Sequence, residues 1–310
     1  MLPVEVSRKY RWIRSIISAT LLVFFVILSL RLSGQDLPGR LVEKPGSVYG
    51  EYMEWEKVKG IFAKNKKALV IDMDTGMSFY VKRRGGTLHA DVEPLTAEDT
   101  VEMQKVFGGN WSWKRRAVLV NIEGTLIAGS MNGMPHGGGN ISDNNFPGHS
   151  CIHFRGSKLH INGREDLAHR MMVYKAAGRI EELVTESSPE EVLKIFFTAL
   201  EQGELNILTR VTHFTNPDQV SQLLKKAETV ERVRVLNTSP GKGETVSVKL
   251  AIEFKKDKTS YEKTKDVQMI NSSVLGWRVE CSSVEPLMMV NREADWVLSE
   301  IEVLDDIEEN

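Results

Sequence analysis

The sequence is poor in cysteine and has no excess of charge of either sign. Only two cysteines, Cys151 and Cys281, occur in 310 residues, which is too few for a disulfide-stapled scaffold. They fall in segments predicted to belong to different domains, so we expect two independent thiols. The formal net charge of −2 provides no basic surface for the phosphates of nucleic acid, and we expect no nucleic-acid partner.

Long apolar runs are also scarce, and the one that stands out lies at the N-terminus. Residues 15–30 are all apolar or small, four basic residues precede them, and Arg31 follows. Extended back to residue 13, this run approaches the roughly 20 residues of a membrane-spanning helix. The basic residues predict a cytoplasmic tail at 1–12 and a single-pass anchor in the cell membrane at 13–32, with everything after it exported. A cleaved signal peptide is the alternative, but no A-x-A cleavage pattern follows the run.

After the anchor, the pattern predicts a linker at 33–55 and a mainly β domain at 56–182. Short apolar runs at 68–73 and 77–81 flank a turn and predict a hairpin. A helix is expected over 96–107, where Thr96 and Asp99 form a capping box. Two more strands are expected at 117–122 and 126–131, followed by a glycine-rich stretch at 131–148 and a helix over 166–180.

A second domain is predicted at 187–290, followed by an acidic tail at 291–310. Ser188 and Pro189 begin a helix, and residues 245–254 alternate between apolar and polar as in a half-buried strand. Further strands are expected at 230–236, 267–270 and 276–281. A helix followed by a curved antiparallel sheet resembles the cystatin-like and nuclear-transport-factor-like cone folds. This α+β domain contains no cluster of reactive residues. The resemblance to cone folds, which often bind small ligands or partners, implies that it binds a small ligand or a protein partner.

Six of the seven histidines lie between His89 and His169, and Cys151 lies among them. A cysteine nucleophile needs a base, a group that orients the base, and donors for an oxyanion. His136 begins the glycine-rich loop, and His149 ends it two residues before Cys151. A loop rich in glycine can fold back, so we expect His136 to reach Cys151, with backbone N–H groups around Ser150 as oxyanion donors.

The segments at 134–137 and 148–153 resemble the active-site signature of the L,D-transpeptidases, in which a His-Gly pair, a variable loop and a Ser-His-Gly-Cys run follow one another. The resemblance covers roughly residues 68–176 and implies a β-sandwich catalytic domain. It also implies the substrate, which is the stem peptide of peptidoglycan. A thioester on the cysteine would form and then be resolved by an amine or by water.

The resemblance assigns roles to individual residues. Cys151 would be the nucleophile, and His136 would be the base, oriented by the carbonyl of Gly137. His149 would line the pocket beside the nucleophile, while Ser150 would belong to the oxyanion site. His153, Arg155 and His89 are the residues predicted to bind substrate. No cofactor and no metal are expected.

Departures from the signature keep other functions open. Gly148 replaces its serine, Ser150 replaces its glycine, and His153 stands where arginine or asparagine is usual, which favours a non-catalytic wall-binding or assembly module as one alternative. Another is a zinc-dependent cell-wall peptidase in which His89 and Asp91 act with His160 or His169, although no helical His-x-x-x-His pair supports it.

A further enzyme class and an aromatic tract also bear on function. A sortase-like transpeptidase also uses histidine, cysteine and arginine, but its histidine and cysteine usually lie much further apart than His136 and Cys151. The aromatic and basic tract at 111–116 fits stacking on sugars or contact with wall anions. The pattern favours the start of a strand, with tryptophan packing on the core.

Overall fold

The computed structural model describes residues 48–256 and 259–289, together with the backbone of 296–297. The predicted cytoplasmic tail, the anchor, most of the linker and nearly all of the acidic tail lie outside the described residues. Within the described ranges, no helix is long and apolar enough to cross a membrane.

Six antiparallel strands of the N-terminal half form one closed barrel in the order β1-β2-β3-β6-β5-β4. The strands are β1 (Lys67–Asp72), β2 (Ser78–Gly85), β3 (Ala90–Pro94), β4 (Arg116–Ile122), β5 (Thr125–Met131) and β6 (Ser150–His153). The hairpin and the strand pair predicted from the sequence are β1–β2 and β4–β5. The short strand β3 was not predicted.

Closure of this sheet corrects the expected β-sandwich. The first and fourth strands pair with each other as well as with β2 and β5, so the sheet returns on itself. Val70, Val118 and Val120 point into the barrel with alternate residues of the other strands, and all three are fully buried. The sequence pattern of a strand does not distinguish a barrel from a sandwich, because successive residues alternate between the two faces in both.

Two helices flank the barrel, α1 (Trp55–Ile61) and α2 (Ala97–Val106). The predicted capping box at α2 is present, since Thr96 accepts from the backbone of Asp99 and the Asp99 carboxylate accepts in return. The described end of the predicted linker is not a free connection. Glu51 exchanges backbone hydrogen bonds with Leu126 and Ala128 of β5, so this segment lies along the barrel.

The C-terminal half is an α+β unit, as expected. Its sheet has the order β7-β11-β10-β9-β8, with β12 paired to β10. Its elements are α3 (Leu167–Ala176), α4 (Ile180–Thr185), α5 (Pro189–Gln202), α6 (Leu205–Arg210), β7 (Thr212–His213), α7 (Asp218–Ala227), β8 (Val230–Pro240), β9 (Thr245–Phe254), β10 (Ser260–Ser272), β11 (Gly276–Glu280), α8 (Cys281–Val284), a 3₁₀ turn (Glu285–Met288) and β12 (Trp296–Val297).

The core of this half begins on the outside of the barrel. Ala117, Leu119 and Ala128 face outward from β4 and β5 and pack with Met171 and Met172 of α3, in the same apolar cluster as α5. The predicted start of α5 is confirmed, because Ser188 caps it and Pro189 is its first residue. Since the two halves share this core, α3 forms the bridge between them.

Candidate active site

The candidate site lies on the outer surface of three neighbouring barrel strands, β3, β6 and β5. Successive residues of a strand point to opposite faces, and Ala90, Val92 and Ile152 point into the barrel core. The residues between them therefore face outward. This outward row consists of His89, Asp91, Glu93, Ser130, Cys151 and His153.

The glycine-rich loop between β5 and β6 folds back on itself above this row. His136 and His149 form a two-way backbone bridge, each N–H donating to the other's carbonyl at 2.9 Å. Glycine is required on both sides of it. A side chain on Gly137, whose φ is +56°, would begin 2.5 Å from the ring of His149, and one on Gly148, at φ +130°, would begin 2.4 Å from the carbonyl of His136.

The bridge brings His136 to Cys151, as the sequence predicted. The imidazole Nε2 lies 3.3 Å from the Cys151 Sγ. The other ring nitrogen, Nδ1, lies 2.8 Å from the carbonyl of Met134. A hydrogen on Nδ1 that is donated to this carbonyl leaves the lone pair of Nε2 facing the thiol, which is the arrangement of a general base.

The orienting carbonyl is therefore that of Met134, and the prediction that Gly137 supplies it is wrong. The left-handed backbone at Gly137 turns its carbonyl towards Gly148 instead. Trp113 gives His136 further support, with ring centroids 5.3 Å apart. The tract at 111–116 thus leads into β4 and also contacts the candidate base.

Cys151 is fully buried. It lies opposite Asp91 in the pairing of β6 with β3, and its Sγ is 4.0 Å from the Asp91 Oδ1. The thiol therefore has an imidazole on one side and a carboxylate on the other. The same carboxylate oxygen is 3.5 Å from the Nε2 of His89.

His149 is half-buried beside this pair. Its Nδ1 is 2.9 Å from an Arg84 guanidinium nitrogen and 3.1 Å from the Gly138 carbonyl. The nitrogen accepts from the first only without a hydrogen and donates to the second only with one, so the contacts are alternatives. Burial lowers the pKa of His149; the Gly138 carbonyl and Asp91 act against burial, whereas His136 and Arg84 act with it.

Two buried groups fix the loop and the strand beneath it. Glu93 is 1% exposed and accepts backbone N–H groups from Asn140 and Ile141 at 2.8–2.9 Å. Ser150 is also buried, and its hydroxyl donates to the carbonyl of Asn132. The Ser150 side chain thus anchors β6 to the start of the loop, and the oxyanion role of its backbone remains a prediction.

Three histidines stack in a column on the same surface. The ring of His153 lies 4.4 Å from that of His89 and 3.7 Å from that of His169, nearly parallel to both. At one end His160 meets His89 edge-on, and at the other Ser130 bonds the Nδ1 of His169 at 2.8 Å. His89 has no exposed surface, which does not fit its predicted contact with substrate.

The predicted substrate residues His153 and Arg155 lie instead on a cavity of about 280 Å³ at the far end of this column. The Arg155 guanidinium is already engaged, with an ion pair to Glu54 at 2.8 Å and a position over the ring of Tyr52. This arrangement therefore does not place Arg155 to bind a substrate carboxylate beside Cys151.

A larger groove, of about 640 Å³, runs between the two halves. On the barrel side it is lined by Trp113 and Met134, the residues that contact His136. On the other side it is lined by α5 and β8, including three basic residues and one acidic residue. These are Lys194, Arg232, Arg234 and Glu201.

Among the residues that the structure describes, two sets of side chains could hold a metal ion. One is His136, His149 and Cys151, and the other is His89, Asp91 and Cys151; in each set the candidate ligand atoms lie within 4.8 Å of one another. Neither set includes the histidines at 160 and 169 that the sequence suggested as zinc ligands. The second cysteine, Cys281, is elsewhere in the C-terminal core, where burial raises its pKa to about 11.

Several site residues were not found from the sequence. Arg84 and Glu93 lie in ordinary strand sequence, and only the pairing of β2 with β3 and of β3 with β6 brings them under the loop. The outward alternation of Asp91 and Glu93 was the available signal.

Comparison of the chain with protein-family models, with curated proteins and with solved structures finds no match in any of the three.

Proposed function

We propose that the protein is an exported, membrane-anchored cysteine acyltransferase that acts on the stem peptides of peptidoglycan. One observation carries the proposal: the 3.3 Å approach of the His136 Nε2 to the Cys151 Sγ, with the opposite ring nitrogen held by a backbone carbonyl. The resemblance of segments 134–137 and 148–153 to the L,D-transpeptidase signature supplies the substrate class.

In this mechanism, His136 takes the thiol proton as the sulfur attacks an amide carbonyl carbon. The tetrahedral intermediate collapses when the carbon–nitrogen bond breaks, and the His136 imidazolium returns the proton to the departing amine. An amine of a second stem, or water, then attacks the thioester while His136 accepts its proton. The product leaves and the thiolate regains that proton, so two acyl transfers replace one difficult amide exchange.

The burial of Cys151 adds a requirement. A donor carbonyl reaches the sulfur only if the side chains around it move, and two of these, His136 and His149, belong to the loop at 132–149. The loop's exposed glycines at 137–139 permit such a change of backbone. Opening of the loop is therefore part of the proposed reaction.

The groove between the halves is the candidate path for the stem peptide. Its barrel wall reaches His136 through Trp113 and Met134, and its other wall carries Lys194, Arg232 and Arg234. Stem peptides carry free carboxylates, which a basic wall would attract. This gives the C-terminal half a role in holding substrate.

The test is intact-mass measurement of the full chain in detergent after incubation with a carbapenem, a class of compound that acylates the L,D-transpeptidase thiol. We expect one adduct on wild type and on Cys281→Ala, and none on Cys151→Ala. His136→Gln should form it about 10²–10⁴-fold more slowly, as for loss of a general base. An adduct that persists in Cys151→Ala would refute the proposal.

A non-catalytic wall-binding module is the second candidate, and the complete burial of Cys151 favours it. It predicts no adduct on the folded wild-type chain together with binding to isolated peptidoglycan. It further predicts that Cys151→Ala binds the wall as well as wild type does.

A further inference from the structure

The outward row of the barrel contains a second arrangement that acyl transfer does not require. Asp91 lies between Cys151 and His89, with its Oδ1 4.0 Å from the Sγ of the first and 3.5 Å from the Nε2 of the second. All three ligand atoms are within 4.8 Å of one another. We infer that Cys151, Asp91 and His89 form a binding site for a thiophilic divalent cation of the zinc type.

The spacing suits a tetrahedral ion. Bonds of about 2.0–2.3 Å from zinc to nitrogen, oxygen and sulfur place neighbouring ligands roughly 3.3–3.8 Å apart. The two measured separations, 3.5 and 4.0 Å, need a contraction of only a few tenths of an ångström at the sulfur. Thiolate, carboxylate and imidazole together form a donor set that zinc accepts.

The position of His89 is already that of a ligand. Its Nδ1 lies 2.8 Å from the carbonyl of Lys158, so a hydrogen on Nδ1 is donated there and the Nε2 lone pair faces Asp91. Metal-bound histidines almost always donate their other N–H in this way, which fixes the tautomer and the ring orientation. His153, stacked against one face of His89, holds the plane of the ring.

Charge also favours a cation. A thiolate and a carboxylate close together in a buried place repel each other, and a divalent ion neutralises both. On binding, the ion displaces the Cys151 proton to solvent and forms a sulfur–metal bond. The sulfur lone pair is then committed, so the metal and an acyl donor compete for Cys151.

This inference does not rest on the acyl-transfer proposal, since it needs only the three ligands. The test is titration of the chelator-stripped full chain with Co²⁺ alone, followed by its thiolate-to-metal absorption band, and with Zn²⁺ alone against a chromophoric chelator. We expect one ion per chain. Cys151→Ser should lose the band, and Asp91→Asn and His89→Gln should weaken binding by at least about 10-fold.

Two matched controls locate the site. His149→Gln alters the other candidate trio and should keep the band, as should Cys281→Ser. A band that survives His89→Gln and Asp91→Asn but disappears in His149→Gln would overturn the assignment. So would the absence of ion binding by wild type whose circular dichroism shows that it is folded. Near-isosteric Asp91→Asn provides a test even if His89→Gln fails to fold.

The two proposals fail separately. If the metal-free chain forms carbapenem adducts and the chain binds no ion, the metal site is refuted and the acyl-transfer proposal is supported. If the chain binds an ion and the metal-free chain forms no adduct, the metal site is supported and the acyl-transfer proposal is refuted. If both hold, added Zn²⁺ should slow adduct formation in proportion to occupancy.

Discussion

The two halves of the molecule use the same strand alternation to bury opposite kinds of side chain. In the C-terminal half, the covered face of β9 is wholly apolar: Val246, Val248, Leu250, Ile252 and Phe254 are all buried. On the barrel, the outward row of β3, β5 and β6 buries a thiol, a carboxylate, a hydroxyl and imidazoles. Alternation along a strand thus identifies which face is covered, but it does not show whether that face forms a core or a reactive site.

Energetics separates the two cases. Burial of apolar surface stabilises the fold at about 25 cal/mol per Å², whereas a buried polar group costs free energy unless it is hydrogen-bonded. The barrel row meets that cost through specific bonds, such as those from Asn140 and Ile141 to Glu93. A chain selected only for stability has no need of such a row, and this is why we propose that the chemistry occurs there.

The largest expected effect on stability comes from the apolar core of the C-terminal half. Phe196 of α5 is fully buried in the core that the barrel shares. Phe196→Ala should lower the free energy of unfolding by about 3–5 kcal/mol, measured by urea denaturation. Val274→Ala, at a position 80% exposed, should change it by less than about 0.5 kcal/mol. A small effect at Phe196 would mean that α5 is not part of a tightly packed core.

A smaller effect on stability should come from the buried histidines, and it should depend on pH. Complete burial, then nearby Arg115 and His89, hold the pKa of His169 well below its ordinary value of 6.5. As the pH falls, the unfolded chain therefore binds a proton on this histidine at a higher pH than the folded chain does. Stability from this residue is complete above pH 6.5 and is lost as the pH falls from there towards the folded-state pKa, by up to about 1.4 kcal/mol per pH unit.

The measurement is the free energy of unfolding between pH 7 and 5 for wild type and His169→Gln. The variant should show a shallower loss. Cys281→Ala is the matched control, because burial raises the pKa of that thiol to about 11 and it stays protonated throughout this range. Equal slopes in wild type and His169→Gln would contradict the prediction.

The smallest expected effect tests whether the halves cooperate in binding. Arg232→Glu in the groove should raise the KM for an anionic stem peptide several-fold with little change in kcat, because exposed charges contribute on the order of 1 kcal/mol or less. The increase should shrink at high salt. Lys225→Glu, on α7 and outside the groove lining, should leave KM unchanged. Equal effects of the two variants would remove the groove from the proposed function.

The sequence predicted the parts of the fold that depend on local pattern. The capping box at Thr96 and the alternation of β9 are set by neighbouring residues, and both predictions are confirmed. The approach of His136 to Cys151 was likewise predictable, because the loop between them is short and rich in glycine.

Other features depend on which strands pair, and sequence alone does not fix that. Closure of the barrel joins β1 to β4 across nearly fifty residues. The column of His89, His153 and His169 requires β3 beside β6 and α3 above them. The contact between the His136 ring and the Met134 carbonyl depends on the conformation of the irregular loop, which the residue types alone do not determine.

The irregular edge strand β8 affects the tendency of the protein to aggregate at high concentration. Among the described residues it pairs with β9 alone, and its register shifts at two places, between Val230 and Arg232 and between Val235 and Asn237. Charged residues such as Glu231 lie along it. Bulges and charges make a strand a poor template for adding another chain. The strand that supplies Arg232 and Arg234 to the groove therefore also opposes aggregation through the sheet edge.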